Sequence, residues 1–201
     1  MEVNATLVRD LRDKTGAGVM DCKKALAEAG GDLDKAVVWL REKGIAQAAK
    51  RAGRIASEGA IGSYIHAGGK LGVLVELNCE TDFVAKTPEF QTLLREVAMQ
   101  IAAANPRCIL REELAPEMIQ QEREIYASQS AGKPEAVINK IVEGKLDKFY
   151  REVCLMEQAW VRDPNRTITD LVGEYAGKLG EKIELRRFVR YQLGEGLDRK
   201  A

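Results

Sequence analysis

Asp82 and Phe83 stand just beyond a run of alternating apolar residues, Leu71, Val73, Val75, Leu77 and Cys79, which sets an acid and a large aromatic at the end of a strand. Two roles are open to such a pair. Phe83 could plug the core beneath a following helix while Asp82 caps a turn, or both could face outward as a recognition edge, and spacing alone leaves the two readings even. Val19 and Met20 pose a related question. By composition they are core residues between two short helices more often than interface residues. Lys50, Arg51 and Arg54 form a short basic run among Ala and Gly. It reads as a solvated linker face rather than an RNA site, because no aromatic is interleaved to stack on bases.

Catalytic chemistry finds little to work with. The one histidine, His66, sits beside a hairpin turn with no nucleophile elbow, kinase loop or zinc motif around it, and a histidine needs a placed partner to act. Gly16-Ala17-Gly18 follows a helix rather than a strand and lacks both the third glycine and the GK[ST] ending of phosphate loops, so it reads as a tight interhelical turn. Cys22, Cys79, Cys108 and Cys154 are far apart and build no CxxC or Cys/His cluster, which leaves reduced thiols and no metal site as the expectation. The 201 residues carry 31 basic and 31 acidic side chains, a balance that argues against a protein devoted to coating nucleic acid. No apolar run marks a secretory signal or a membrane span, so a cytoplasmic protein is expected, without catalytic residues and without cofactor.

The elements that must position these residues fall into two regions. Residues 1 to 44 read as three short helices: Asn4 caps the first, Gly16 and Gly18 interrupt it, Asp21 starts a second that ends at Gly30-Gly31, and Asp32 caps a third that Gly44 stops. Residues 45 to 58 read as a basic, partly helical connector. Past Gly59 the period turns from helical to alternating. Ile61, Ser63 and Ile65 share one face of a strand, Gly68-Gly69 supplies a turn, and Leu71 to Cys79 form the second strand of a hairpin. A helix begins at Thr87-Pro88 and stops at Asn105-Pro106. Further helices are expected from Pro116, from Pro134 to Val142, from Leu146 to about Leu155 and from Thr169 to about Leu179. A last strand carries Ile183, Leu185, Val189, Tyr191 and Leu193 on one side, with Arg186, Phe188 and Arg190 on the other. The fold expected is α+β: an N-terminal three-helix module, then a helix-rich core with a small three-stranded antiparallel sheet. The domains are 1–54 and 55–201.

Two segments go further than periodicity. Leu11-Arg-Asp-Lys-Thr-Gly-Ala-Gly-Val-Met-Asp-Cys-Lys-Lys-Ala-Leu26 and Glu76-Leu-Asn-Cys-Glu-Thr-Asp-Phe-Val-Ala-Lys86 resemble the signatures of bacterial translation elongation factor Ts, the nucleotide-exchange factors of elongation factor Tu. The resemblance continues through Lys133–Tyr150 and Arg186–Arg190 and covers nearly the whole chain. It implies that the first module has a ubiquitin-associated-like fold and docks on the nucleotide-binding domain of Tu through Arg12, Val19, Met20 and Lys23. It also implies that Asp82 and Phe83 project from the strand end toward the magnesium site of Tu, the aromatic acting as a wedge, with Thr81 and Val84 fixing the loop. Glu80 stands where some relatives have Gln. Longer members of the family have two similar subdomains and a helical hairpin insertion. This chain holds material for one sheet subdomain, which implies a homodimer with Phe188, Val189 and Tyr191 near the shared interface. Direct nucleic-acid and membrane contacts are not implied.

Overall fold

The computed structural model describes residues 4–15, 17–51 and 53–197, with the backbone alone for 45–50. Two of its first three helices begin at a side-chain cap. Asn4 Oδ1 accepts a hydrogen bond from Thr6 N at 2.9 Å and opens α1 (Ala5–Thr15). Helix α2 (Val19–Glu28) starts directly after Gly18, two residues before the Asp21 expected to begin it, and ends where Gly30 and Gly31 turn left-handed with φ of 63° and 88°. Gly16, expected in the preceding turn, lies outside the described residues. Asp32 Oδ1 accepts from Lys35 N at 3.0 Å and opens α3 (Leu33–Arg51), and this backbone bond first of all holds the Asp32 carboxyl below its ordinary range. The three helices close on Leu11, Cys22, Ala25, Leu26 and Ala36, with Leu7, Leu33 and Leu40 around them. Fully burying each leucine contributes about 1.5 to 3 kcal/mol.

Gly44 does not stop α3, which continues to Arg51. It lies against a neighbouring helix instead: a Cβ at Gly44 would meet the carbonyl oxygen of Gly173 at an ordinary contact distance of 3.6 Å, and one at Gly177 would lie 3.7 Å from Gly44 Cα. Both partners belong to α8 (Ile168–Leu179), and Arg41 hydrogen-bonds and ion-pairs with Asp170 in the same helix. Packing against α8 offsets the roughly 1 kcal/mol that a mid-helix glycine costs.

The strands β1 (Glu58–Ile65), β2 (Leu71–Cys79) and β5 (Glu184–Gln192) form an antiparallel sheet in the order β1-β2-β5. Gly68 and Gly69, with φ of 92° and 67°, make the turn that joins the first two. Val73, Val75, Leu77 and Cys79 are buried on one face of β2 as the alternation predicts. Strand β5 departs from its expected pattern. Leu185 is buried, but farther along Phe188 and Arg190 turn inward while Val189 and Tyr191 are exposed, so the apolar residues change face within the strand. Arg190 can point inward because its Nε donates to the Ala102 carbonyl at 3.4 Å and its guanidinium lies 3.9 Å from Glu195.

By their contacts the described residues divide into two compact units, one of residues up to Gly62 with Glu76–Arg95 and Asp170–Arg186, the other of Ser63–Val75, Glu96–Thr169 and residues from Arg187 on. Helix α5 (Pro88–Ala104), which begins in the first unit, ends at Asn105 with φ of 46°; α6 (Pro116–Ser128) packs on α7 (Glu135–Val153). The break expected between Val142 and Leu146 is absent from α7, because Val142, Leu146, Phe149 and Val153 hold one buried stripe past Gly144. A short hairpin of β3 (Ala159–Trp160) and β4 (Asp163–Thr167) was not foreseen. Its anchor is Gln100, fully buried, whose amide donates to Gln158 Oε1 and Ala159 O at 3.1 and 3.2 Å and accepts from Val161 N at 2.9 Å.

Candidate partner-binding surface

Strand β2 runs out at Cys79 and the chain turns at once into α4 (Asp82–Ala85), a single helical turn where a loop was expected. Thr81 makes the turn possible. Its backbone is extended, with φ of −130° and ψ of 152°, and its hydroxyl accepts from Val84 N at 3.4 Å. Thr87 closes the far side, its hydroxyl donating to Val84 O at 2.8 Å and accepting from Phe90 N at 3.2 Å. Gln91 Nε2 reaches back to Ala85 O at 2.8 Å. Ala85 and Phe90 are the buried side chains here, and they seat the turn on the core.

Phe83 is left outside, 80% exposed, so the core-plug alternative does not hold. Asp82 bonds Lys86 Nζ at 2.7 Å, and this bond first, then the charge itself, keeps its carboxyl below the ordinary range. Thr81 is exposed and Val84 half-buried. The structure therefore brings Thr81, Asp82, Phe83 and Val84 onto one turn with the aromatic foremost.

Residues that the sequence reading passed over tie that turn down. Glu181, between α8 and β5, accepts hydrogen bonds from Glu80 N and Thr81 N, both at 3.0 Å, and from the Thr81 hydroxyl at 2.7 Å. Glu80 answers in the other direction, accepting from Lys182 N at 2.6 Å and from Arg54 at 3.3 Å. The Lys182 backbone bond, and after it Arg54, hold the Glu80 carboxyl below its ordinary range. Lys182 Nζ also bonds the Arg54 carbonyl at 3.1 Å. Beneath, Cys79 Sγ bonds the Thr81 carbonyl at 3.1 Å, and burial pushes its thiol up to about 11. A charged residue in a Gly-Glu-Lys turn reads as solvated from sequence, and only folding brings Glu181 to Thr81.

The basic run is likewise more than a solvated face. Arg51 donates to the Ala176 carbonyl at 3.1 Å, near the C-terminal end of α8, and Arg54 meets Glu80. The Lys50 side chain lies outside the described residues.

The N-terminal residues collect on α1 and α2. Val8, Arg12, Val19 and Lys23 line one shallow hollow with Ala5 and Asp13. Val19 is 48% exposed and Met20 75%. Their core reading fails because Cys22, Ala25 and Leu26 occupy the inward face of α2. All four cysteines are buried and unbridged; Cys108 and Cys154 approach to 3.6 Å between sulfurs, and burial first raises both thiols, Cys154 to about 12. Among the described residues no group of His, Cys, Asp and Glu is arranged to hold a metal ion, and no helix is long and apolar enough to cross a membrane.

Known proteins resemble this chain over nearly its whole length. The family profile described as Elongation factor TS matches residues 22–195. An elongation factor Ts of Desulforamulus reducens is 55% identical over 201 residues, covering 99% of this chain and 93% of that relative. One of Thermoanaerobacter sp. strain X514 is 56% identical over 198 residues, 98% of this chain and 97% of its own. One of Geobacter metallireducens is 54% identical over 202 residues, 100% of this chain and 94% of its own. With the family profile spanning the Phe83 turn and most of the chain, and relatives matching over nearly its whole length, the chain belongs to the elongation factor Ts family, the nucleotide-exchange factors of elongation factor Tu.

Proposed function

We propose that this chain releases GDP from elongation factor Tu by docking through residues 1–54 and pressing the Asp82-Phe83 turn against the magnesium and phosphate site of Tu. The observation that carries the reading is Phe83, four-fifths exposed on a turn held by hydrogen bonds at Thr81, Val84 and Thr87. Such an aromatic contributes little to the free fold and is suited to an apolar slot on a partner. Magnesium bridges the nucleotide phosphates to a G protein, so disturbing its shell removes charge compensation that holds GDP. Asp82 supplies an electrostatic contribution there, and must share or give up Lys86 to do so.

Exchange of this kind is bidirectional. A protein that binds nucleotide-free Tu more tightly than GDP-bound Tu weakens GDP by the same factor, and GTP excess sets the direction. Arg12, Val19, Met20 and Lys23 serve docking, Met20 adapting to the partner surface. A second copy of the chain covers the exposed apolar residues around Tyr191 in a homodimer.

Stopped-flow release of a fluorescent GDP from Tu tests the central step. Phe83→Ala should lose about 2 to 4 kcal/mol of the stimulated release, and Asp82→Ala, which removes a partly solvated carboxylate, should lose less. Melting temperatures of both free variants should stay close to the parent. An early-melting Phe83→Ala whose folded fraction exchanges normally would return Phe83 to a structural role.

A further inference from the structure

We infer that Glu181 is a positioning residue for exchange, its carboxylate setting the direction in which Phe83 is presented. The inference rests on the reading of Phe83 as the wedge. Because the ring is 80% exposed, packing within its own chain does little to aim it, and its direction follows the backbone of the turn. That backbone is set at its first two residues. Glu80 N and Thr81 N both donate to Glu181 Oε2 at 3.0 Å, and the Thr81 hydroxyl donates to Oε1 at 2.7 Å.

The same Thr81 hydroxyl accepts from Val84 N, so Glu181 orients the group that caps α4. Charge-assisted bonds of this kind are about twice as strong as neutral ones, and two of them share one carboxylate oxygen. Glu80 returns the contact to Lys182 N and Arg54, making a closed reciprocal clasp between the end of β2 and the segment entering β5. A lone surface carboxylate would do none of this. A site built on a rigid shell keeps its geometry, and one left loose by about 1 Å loses function before it loses fold.

The test measures maximal GDP release and the half-saturating concentration separately, on Tu loaded with fluorescent GDP. Glu181→Ala should lower the maximal rate about ten- to a hundredfold while half-saturation stays within about twofold, since docking through α1 and α2 is untouched. Glu181→Gln, which keeps an acceptor oxygen, should recover part of the loss. Lys23→Ala, on the docking surface, should give the opposite split. Thr81→Val removes the shared hydroxyl, and combined with Glu181→Ala should cost less than the two losses multiplied. Phe83→Ala in the same assay separates two failures. If it leaves release intact, the wedge reading itself falls. If it abolishes stimulation while Glu181→Ala and Glu181→Gln keep the parental maximal rate, the wedge stands and Glu181 is not its positioner. A Glu181→Ala effect confined to half-saturation or to melting temperature also overturns the inference.

Discussion

Three carboxylates, Asp32, Glu80 and Asp82, are held below their ordinary values of 3.8, 4.5 and 3.8 by hydrogen bonds formed only in the fold. The sign follows from linkage. A carboxyl with a depressed folded pKa contributes stability that is complete above its unfolded value and is lost as pH falls through the folded one. Melting temperature should therefore hold from neutral pH down to the ordinary carboxylate range and drop below it. Glu80→Gln should melt lower than the parent at neutral pH, and the gap should narrow in acid as the parent's Glu80 takes up a proton. A gap constant across that range would mean that Glu80 acts by shape and not by charge. At this scale the sequence was partly legible. Phe83 and Asp82 were visible as an anomaly at a strand end, whereas Glu181 was not, since its meaning depends on a contact across 100 residues of chain.

At the scale of elements, two glycines make opposite predictions. Gly59, with φ of 145°, sits against β2, where a Cβ would fall 2.2 Å from the Leu77 carbonyl oxygen and 2.7 Å from Asn78 Cα. Gly59→Ala should destabilise by about 2 kcal/mol or more, read as a lowered denaturation midpoint, because both the backbone strain and the clash are with main chain. Gly44 is different. It lies inside α3, and a methyl would meet Gly173 O at an ordinary 3.6 Å. Gly44→Ala should be neutral or stabilise by up to about 1 kcal/mol through helix propensity, whereas at a left-handed stop it would destabilise by a similar amount. The caps were readable in the sequence because Asn4, Asp32 and Thr87 act on neighbours within three residues. Gly44 was misread as a stop, and α7 as two helices, because what keeps these helices going is packing: against α8 for the first, along the Val142–Val153 stripe for the second. The β3-β4 hairpin escaped notice for the same reason, its anchor Gln100 lying about 60 residues away.

For the molecule as a whole, the outstanding feature is an apolar patch that none of the described residues covers. Ile65 at 66% exposure, Leu74 at 48%, Tyr191 at 70% and Leu193 at 73% line one hollow, into which Leu71 and Gly72 also face. Leu193 N donates to Lys70 O at 2.8 Å, which fixes the end of β5 beside the β1-β2 turn, and Ile65 lies so close over Gly72 that a Cβ there would meet it at 3.0 Å. The hollow thus lies beside the β1-β2 turn, and β1 and β5 are the sheet's two edges. Exposed apolar surface of this kind is uncommon on a lone monomer, and a two-fold pairing would bury the same patch on both copies. The change of face within β5 sharpens the expectation drawn from sequence: Val189 and Tyr191 belong to the patch side, and Phe188, turned inward, does not. Light scattering at micromolar concentration should give the mass of two chains, and Tyr191→Glu combined with Leu74→Glu should give that of one, with the helical signal unchanged. Both positions are exposed, so the charges cost the isolated fold little and cost a buried interface a great deal. A parent protein that scatters as a monomer would remove the dimer, and would leave one copy alone to supply both the Met20 and the Phe83 surfaces to each Tu.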